Sequence, residues 1–316
     1  MLKNYFKIAI RNLAKNKLFS AINIIGLSVG MASCLLLFLY ASQELSYDTH
    51  HGKRLYRITS TFSQLDAGEE FVSGTSSVPI GPAVAAQIPE ILNSARITGA
   101  AILNVKDMIS YEGQQYYIEN GMVADSSMFE LFNYKYTEGD RQNPMPHSNA
   151  VVLEKDWAEK LFGQEEAYGK MLKISTALGE ADYEVTAVYD ASAYDTHMSP
   201  TFVISTNNTV YKQFFDRMSA QWVSNNLVFT YLELTPDADP VVVDEKIHQI
   251  FLENGAKDMK EMGFTKTMDL QPVEEIHTSA GFQLDSPNKT SMVFIQVLVL
   301  IGVLILLLAC VNLSLI

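Results

Sequence analysis

Two long uncharged runs lie near the ends of the chain, and the segment between them mixes polar and apolar positions. The first run extends from Leu18 to Gln43 and has 26 residues. The second extends from Thr290 to Ile316 and is dense in Val, Leu and Ile. An α-helix rises about 1.5 Å per residue, and the hydrocarbon core of a bilayer is about 30 Å thick. Neither run shows the polar stripe of a soluble helix, so both are predicted to span a membrane.

A basic segment, residues 1–17, precedes the first run. Its apolar residues recur at helical spacing on one face, while most of its cations fall on the other face. The cations are Lys3, Lys7, Arg11, Lys15 and Lys17. This pattern is typical of an interfacial helix whose basic face binds membrane lipid. Because no acid occurs before Glu44, the charges favour a cytoplasmic N-terminus, with the region after the first span outside the cytoplasm.

A cleaved signal peptide and a lipoprotein signal are the alternatives for the N-terminal pattern. The apolar run is longer than a usual signal-peptide core, and no clear small-x-small cleavage site follows it. The segment MASC, which ends at Cys34, resembles a lipoprotein processing site, but the apolar residues LLLFLY come directly after it. Transmembrane helices over residues 18–42 and 291–316 are therefore the preferred interpretation.

The region between the spans, residues 43–290, carries two similar β-α-β patterns. In the first, LYRITST is a predicted strand, VPIGPAVAAQIPE a short helix and SARITGAAILNV a return strand. In the second, the strand LVFTYLEL leads into a helix with Asp239 at the N-cap, Pro240 at the first helical position and Gly255 beyond the end. The strand TKTMDLQPVEEIH completes it. Two units so far apart in the chain indicate one sheet-and-helix domain interrupted by an insertion.

The insertion, about residues 120–206, has strand patterns of its own. SNAVVLEKDWAEKLFG predicts a strand followed by an amphipathic helix that Gly163 ends. YEVTAVY and TFVIST alternate like strands. This content predicts a small β-rich lobe, inserted between a first part at about 45–119 and a second at about 207–288.

Charge and cysteine usage narrow the class of protein. The chain carries 23 basic and 36 acidic residues, and five of the basic residues belong to the N-terminal segment, so the region between the spans is strongly acidic. A nucleic-acid partner is therefore not expected. Both cysteines, Cys34 and Cys310, lie within the two spans, so disulfides do not hold the intervening domain together.

Several blocks occur in an order that resembles permease subunits of the MacB and FtsX-like ABC transporter family. They are RNLAKNKLFSAINIIGLSVGMASCLLL, AVVLEKDWAEKLFG with YGKML, YEVTAVY followed by DTHM, PVEEIH, and LIGVLILLLACVNL. The resemblance implies a membrane-anchored α+β protein, with two transmembrane helices flanking a periplasmic core domain that has a split β-α-β porter-like lobe and an inserted β-rich lobe. Such permeases have further membrane helices after the second, so the chain is expected to be a fragment that stops within a truncated second span.

Motifs that would indicate chemistry are not matched. The segment GQEEAYGKM resembles a phosphate-binding loop but does not match the pattern. Five residues separate Gly163 from Gly169 where four are needed, and Met171 replaces the magnesium-binding Ser or Thr. His50 and His51 are expected to be solvated residues at the membrane interface. His197 and His277 match the family blocks and are expected to be structural. No catalytic residue, metal ligand or cofactor is therefore predicted.

The first span carries a small-residue pattern, Gly26-x-x-x-Gly30, which Ser33 extends. Small residues at this spacing let another membrane helix approach closely. A helix-packing surface at these three residues is the prediction, against the alternative that glycine is simply common in such helices.

The resulting hypothesis is a non-catalytic permease subunit that works with a separate cytoplasmic ABC ATPase, as a dimer or pseudo-dimer and with a periplasmic adaptor or substrate. It would export a substrate or transmit the ATPase cycle to a periplasmic partner. The spans would act as stiff rods joined to the domain at QELSYD and DSPNKT. A two-span sensor with an extracytoplasmic ligand-binding domain is the alternative from another class, and a passive anchor is the third.

Overall fold

The computed structural model describes residues 11, 15, 17–64, 70–100, 106–285 and 289–314. The chain forms two compact units. One contains the terminal segments Met1–Ser46, Thr278–Ala280 and Thr290–Ile316, and the other contains Tyr47–His277 and Gly281–Lys289.

Both helices and strands are distributed along the described residues. The α-helices are α1 Lys17–Glu44, α2 Ile80–Gln87, α3 Met128–Leu131, α4 Lys155–Phe162, α5 Lys212–Met218, α6 Pro240–Met262 and α7 Met292–Ser314. The strands are β1 Leu55–Gln64, β2 Glu70–Ser73, β3 Ser76–Ser77, β4 Ile91–Gly99, β5 Asp107–Tyr111, β6 Gln114–Ile118, β7 Gly121–Ala124, β8 Tyr136–Gly139, β9 Ala150–Glu154, β10 Met171–Thr176, β11 Gly179–Tyr189, β12 Phe202–Ser205, β13 Asn226–Leu234 and β14 Phe264–Pro272.

The two predicted apolar helices are present as α1 and α7, and they pack against each other. Their segments Ser20–Glu44 and Met292–Val311 have mean hydropathies of 2.2 and 3.1, and both are long and apolar enough to cross a membrane. Most of their large apolar side chains are exposed, as expected for helices that face lipid rather than a soluble core.

One half of the sheet has the split β-α-β arrangement predicted from the pattern, with strands from both ends of the domain's sequence. The strands lie in the order β14-β1-β13-β4, and each neighbouring pair is antiparallel. Helices α2 and α6 supply the apolar side chains that fill this part of the core, together with residues of β1, β13 and β14; among them are Ile80, Val84, Ile247, Phe251 and Leu232. This interleaving of two β-α-β units is the ferredoxin-like motif.

Helix α6 begins as predicted and ends later than predicted. The Asp239 side chain accepts a hydrogen bond from the Val241 amide at 3.0 Å, and Pro240 occupies the first turn. The expected end at Gly255 is wrong, because the helix continues to Met262 and is capped by Gly263 at φ 75°. Gly255 is instead an interior position, where a Cβ atom would lie 2.9 Å from Val223.

The other half of the sheet continues from β4 without a break, in the order β4-β7-β12-β9-β11-β10-β5-β6. Strand β9 is buried on both faces: Val151 and Leu153 join one apolar cluster, and Ala150 and Val152 join another. Strand β5 pairs with β10 and with β6, although both β5 and β6 precede residue 120. The lobe boundaries at 45–119, 120–206 and 207–288 stay a prediction.

Candidate functional site

The first junction between helix and domain, Gln43–Asp48, ends in a buried carboxylate. Asp48 has only 2% of its surface exposed and adopts a left-handed backbone conformation with φ 61°, which Asp tolerates better than most residues. The carboxylate accepts hydrogen bonds from Thr196 Oγ1 at 2.6 Å and from His197 Nδ1 at 2.8 Å. His51 Nε2 lies 3.3 Å from Asp48 Oδ1, the oxygen that also accepts from Thr196. The segment between β11 and β12 therefore holds this end of the domain in place.

Electrostatics keep this carboxylate ionised. Burial acts to raise the pKa of Asp48, but attraction to His197 and the hydrogen bonds from His197, His51 and Thr196 outweigh burial and hold the pKa well below its usual range. An ionised carboxylate only accepts hydrogen bonds. His197 Nδ1 must therefore carry a hydrogen and donate it to Asp48.

The two neighbouring histidines do not lie where the sequence predicted them. The expectation that both are solvated is wrong for His51, which is 8% exposed and accepts a hydrogen bond at Nδ1 from the Asn133 amide at 3.1 Å. His50 stacks on the Tyr194 ring with 4.2 Å between centroids. Burial, followed by the charge of His51, lowers the pKa of His50 to about 4. No three His, Cys, Asp or Glu side chains among the described residues are placed to hold a metal ion.

The second junction, Asp285–Thr290, begins with another buried ion pair. Asp285 Oδ1 accepts a hydrogen bond from Arg57 Nη1 at 2.5 Å, and Lys289 pairs with the other oxygen of the same carboxylate. The Arg57 side chain has no exposed surface, and its Nη2 also donates to Gln271 Oε1 at 2.6 Å. A buried arginine with matched partners fixes the chain segment that carries its carboxylate. Residues 286–288 of the predicted junction lie outside the described residues.

The segment before Asp285 is also held by backbone hydrogen bonds. The Gln283 amide donates to the Val72 carbonyl at 2.9 Å, and the Gly74 amide donates to the Leu284 carbonyl at 2.7 Å. A Cβ atom at Gly74 would lie 2.7 Å from Arg57 Nη1. Position 74 is therefore small because the guanidinium passes directly over it.

Tyr231 on β13 contacts the cluster around Asp48. It is 1% exposed, and its hydroxyl is 2.8 Å from His197 Nε2. In the β1–β13 ladder its register partner is Arg57. Burial raises the pKa of Tyr231, and the positive charge of Arg57 opposes this rise. Hydrogen bonds thus extend from Asp48 through His197 to Tyr231, and a separate set joins Arg57 to Gln271 and Asp285.

The three residues of the predicted helix-packing surface have different surroundings in the structure. A Cβ atom at Gly30 would lie 3.2 Å from Ala309 Cβ on α7, whereas a Cβ atom at Gly26 would meet nothing within 4 Å. Ser33 is half-buried. Gly30 thus lies at the α1–α7 contact and Gly26 does not, and the functional use of the surface stays a prediction.

The predicted membrane-interface cations are placed only in part. Arg11, Lys15 and Lys17 are helical and exposed. Lys3 and Lys7 lie outside the described residues. The interfacial helix over residues 1–17 stays a prediction.

The segment rejected as a phosphate loop holds a carboxylate instead. The Ala167 and Tyr168 amides donate to Glu138 Oε2 at 2.7 and 3.0 Å. Two amides that could have met an anion are therefore already occupied by this side chain.

Sequence reasoning missed the junction clusters, although signals for parts of them were present. In the predicted strand LYRITST, polar and apolar residues should alternate, and Arg57 places a charge at a position that the alternation predicts to be buried. Asp48 and His197 are both in short polar segments that pattern alone reads as surface. Their partners are far away in the chain, so no local spacing relates them.

Comparisons with known proteins agree with this architecture. A family model described as the MacB-like periplasmic core domain matches residues 20–250. The chain belongs to this family. Membership makes it a component of an ABC-type transporter, and it confirms the resemblance seen in the sequence. No curated protein matches the chain.

Solved structures similar to this MacB-like chain have low sequence identity. A domain assigned to a permease from Porphyromonas gingivalis has a TM-score of 0.59 at 14% identity, and the match covers 79% of this chain and 98% of that one. The periplasmic region of MacB from Actinobacillus actinomycetemcomitans has a TM-score of 0.44 at 10% identity, with 70% and 92% covered. The extracellular domain of the noncanonic ABC-type transporter YknZ from Gram-positive bacteria has a TM-score of 0.41 at 10% identity, with 67% and 99% covered. The first of these shows a shared fold.

Proposed function

We propose that the chain is part of a permease subunit in which a separate cytoplasmic ATPase drives movements of the membrane helices, and the domain outside the cytoplasm receives them. The observation that carries this proposal is the fixing of both junctions by buried charges. Asp48 lies four residues after the end of α1, and Lys289 lies three residues before the start of α7. Short connections anchored at one end transmit displacement, whereas long flexible ones absorb it.

The proposed location is the bacterial inner membrane, with the N-terminus of the chain in the cytoplasm and the domain in the periplasm. The exposed cations Arg11, Lys15 and Lys17 support it, since cytoplasmic flanks are enriched in Lys and Arg and such cations also bind anionic lipid. The ATPase, a second permease copy or half, and a periplasmic adaptor or substrate are the proposed partners. Export of a substrate and mechanical activation of a periplasmic partner are both compatible with this arrangement.

A two-span sensor would share the same topology. The effect of the chain on ATP hydrolysis by an ABC ATPase distinguishes a permease from a sensor. A permease should bind an ABC ATPase in the membrane and change its hydrolysis rate, whereas a sensor should leave hydrolysis unchanged. The discriminating observation is co-purification with the ATPase from nanodiscs, followed by a measurement of its hydrolysis with and without the full-length permease.

The mechanism is tested by loosening one junction. A Gly/Ser insertion of about ten residues after Leu45, within the first junction, should leave basal ATP hydrolysis intact and abolish transport or partner activation, because the flexible stretch absorbs the movement. An insertion at the second junction, after Thr290, should have the same effect. Unchanged output from both variants would refute force transmission through the junctions.

The control is an insertion in a loop away from both junctions. The segment between β8 and β9 contains Pro144 and Met145, which are both buried. Gln142 and Asn143 are exposed, so the control is placed between them. It should keep both hydrolysis and output.

A further inference from the structure

The sheet ends at two edge strands, β14 on one side and β6 on the other. An edge strand presents backbone groups that can pair with a further strand, and proteins commonly cover or block such an edge. The β14 edge is covered by α6. The Leu270 amide donates to Asp244 Oδ1 at 2.8 Å, and the Lys266 amide donates to Met259 Sδ at 3.2 Å. Side chains of α6 therefore bond to backbone amides of this edge strand.

The edge at β6 is open within the described part of the chain. Strand β6 pairs there with β5 alone, and Gln114, Gln115 and Tyr117 are exposed. Tyr117 keeps 73% of its surface accessible. The strand QQYYI contains no charge and no proline, and both are devices by which proteins stop an edge strand from pairing. One edge of the sheet is thus protected, and the other is left available.

The turn before β6 determines the direction of its backbone groups. Glu112 and Gly113 connect β5 to β6 with φ of 48° and 81°. A two-residue turn with both φ positive is typical of a tight hairpin, and it places a hydrogen-bonded pair directly beside it. That pair is Tyr111 and Gln114. Gln114 therefore directs its N–H and C=O groups toward β5.

Backbone direction alternates along a strand, so the other residues of β6 follow from Gln114. Tyr116 also faces β5. The N–H and C=O groups of Gln115 and Tyr117 face away from the sheet. These two residues give the edge of β6 two donors and two acceptors for another strand.

The outward groups match a second copy of the same strand in antiparallel orientation. With a twofold axis at Tyr116, Gln115 of each copy faces Tyr117 of the other, and both pairs exchange N–H and C=O bonds. An axis at Gln115 would set Tyr117 opposite the turn residue Gly113. An axis at Tyr117 would set Gln115 opposite Glu119, which follows the end of the strand. The register centred on Tyr116 is therefore the one that pairs both outward residues within β6.

Charge does not oppose this pairing within the strand. Because β6 is uncharged, no like charges face each other across the axis, although the chain as a whole has a net charge of −13. The ring of Tyr116 meets its own copy, and aromatic cross-strand pairs stabilise a sheet. Two copies held in one membrane by α1 and α7 would also meet at a high effective concentration, so a short strand suffices.

We propose that the edge of β6 is a dimer interface, at which a second copy of this chain adds its own β6 in antiparallel orientation with Tyr116 on the twofold axis. One sheet then extends through both domains. The inference deepens the proposed function, in which a second permease copy is a partner, because it assigns the surface through which the two copies meet. The pairing itself does not need the ATPase.

The first test is a cysteine cross-link in the full-length permease, in membranes without the ATPase and with Cys34 and Cys310 replaced by Ser. The two copies of residue 116 form a non-hydrogen-bonded pair with Cα atoms about 4.5 Å apart, which is within the range of a disulfide. Tyr116→Cys should therefore oxidise rapidly to a covalent dimer. Non-reducing gels give the rate, and mass spectrometry identifies the linked peptide.

Gln115→Cys and Tyr117→Cys are the register controls. In the proposed dimer each of these residues lies diagonally from its own copy, about 7–8 Å away. Both are more exposed than Tyr116, so random collisions would favour them. Tyr116→Cys should nevertheless form dimer about tenfold faster than either, because Cα atoms more than about 7 Å apart are not bridged without backbone movement. Equal rates, no dimer, or linkage of Tyr116→Cys to a different protein would overturn the proposal.

Gln115→Pro tests the backbone hydrogen bonds. Proline is tolerated on an edge strand where the N–H faces solvent, so the melting temperature of the domain should stay close to that of the unmodified chain. The bond donated by Gln115 is lost in both copies, so cross-linking through Tyr116→Cys should slow by about tenfold. Gln115→Thr keeps the N–H and is the matched control, which should cross-link at the original rate.

Tyr117→Lys gives a second variant that leaves the backbone unchanged. A lysine on an exposed edge opposes pairing, so cross-linking through Tyr116→Cys should slow here as well, even if Gln115→Pro destabilises the domain. An unchanged rate in Tyr117→Lys would overturn the interface. Because the cross-link is measured without the ATPase, its failure refutes the pairing alone, whereas unchanged output from the junction insertions refutes the transmission function alone.

Discussion

Arg57 and Tyr231 face each other across the β1–β13 ladder, and each holds one junction of the domain through a different partner. Arg57 binds Asp285 at 2.5 Å, and Tyr231 lies 2.8 Å from His197, which binds Asp48. A cross-strand pair normally stabilises a sheet through local packing. Here each member of the pair also contacts a group that holds one of the two points at which the chain enters and leaves the domain, which makes β1 and β13 central to the proposed function.

Asp107 is predicted to make the domain less stable as the pH rises toward neutrality. Its side chain is buried with no exposed surface, and neither carboxyl oxygen has a hydrogen-bond partner. Burial raises its pKa to about 7 from 3.8. Between those pH values the folded state keeps a proton that the unfolded state has lost, so stability should fall from about pH 4 to about pH 7 and then level off.

The variant Asp107→Asn should remove this pH dependence and be more stable than the unmodified chain at pH 8, by about 1–3 kcal/mol. Urea titrations followed by tryptophan fluorescence at pH 5 and pH 8 measure the effect. Asp182→Asn at an exposed position is the control and should change neither value. An Asp107→Asn variant with the same pH profile as the unmodified chain would show that this carboxyl is not the source.

Lys266 is predicted to contribute the opposite dependence above neutrality. It is 1% exposed, and its amine donates to Ser77 Oγ and to Asn226 Oδ1, both at 2.7 Å. Burial lowers its pKa to about 7 from 10.5. Between those values the unfolded state binds a proton that the folded state has released, so stability should rise with pH over this range.

Lys266→Met keeps the aliphatic stem and removes the titrating amine, so the rise between pH 7 and pH 9.5 should disappear. The expected difference in this rise is on the order of 1–3 kcal/mol, measured by the same urea titrations. Lys257, which is 86% exposed along its side chain, supplies the control as Lys257→Met. If both variants keep the rise, another group causes it.

Gly74→Ala is predicted to destabilise the exit cluster. The added methyl group would lie 2.7 Å from Arg57 Nη1 and 2.9 Å from Arg57 Cζ, so the guanidinium or β2 must move. Overpacking of this kind costs about 1–3 kcal/mol. Gly99→Ala meets nothing within 4 Å and serves as the control. Thermal unfolding of the two variants should differ, and equal melting temperatures would argue against the close approach of Arg57.

The α1–α7 contact is tested by cross-linking. With Cys34 and Cys310 replaced by Ser, Gly30→Cys combined with Ala309→Cys should oxidise to a disulfide. The two Cβ positions are 3.2 Å apart, so a small outward shift of the helices brings them to the separation of about 3.5–4.5 Å found in bridged cysteines. Gly26→Cys combined with Ala309→Cys should not. Mass spectrometry of the linked peptides measures the yield, and equal yields would place the contact elsewhere along α1.

Local pattern was sufficient for the elements and for much of their arrangement. The uncharged runs predicted α1 and α7 because a membrane-spanning helix depends on length and composition alone. Asp239 and Pro240 predicted the start of α6 because capping involves neighbouring residues. Gly255 misled the prediction of its end, since whether a glycine ends a helix or admits a neighbour depends on what packs against it. The neighbour, Val223, belongs to a different segment.

Only the tertiary structure determines which residues come together in the junction clusters. Asp48 and His197 are separated by 149 positions in the chain, and Arg57 and Asp285 by 228. No periodicity extends over such distances, so the sequence marks each charge without showing its partner. A buried charge is tolerated only where an opposite charge or hydrogen-bond partner is brought to it, and it is the order of strands in the sheet that brings these residues together.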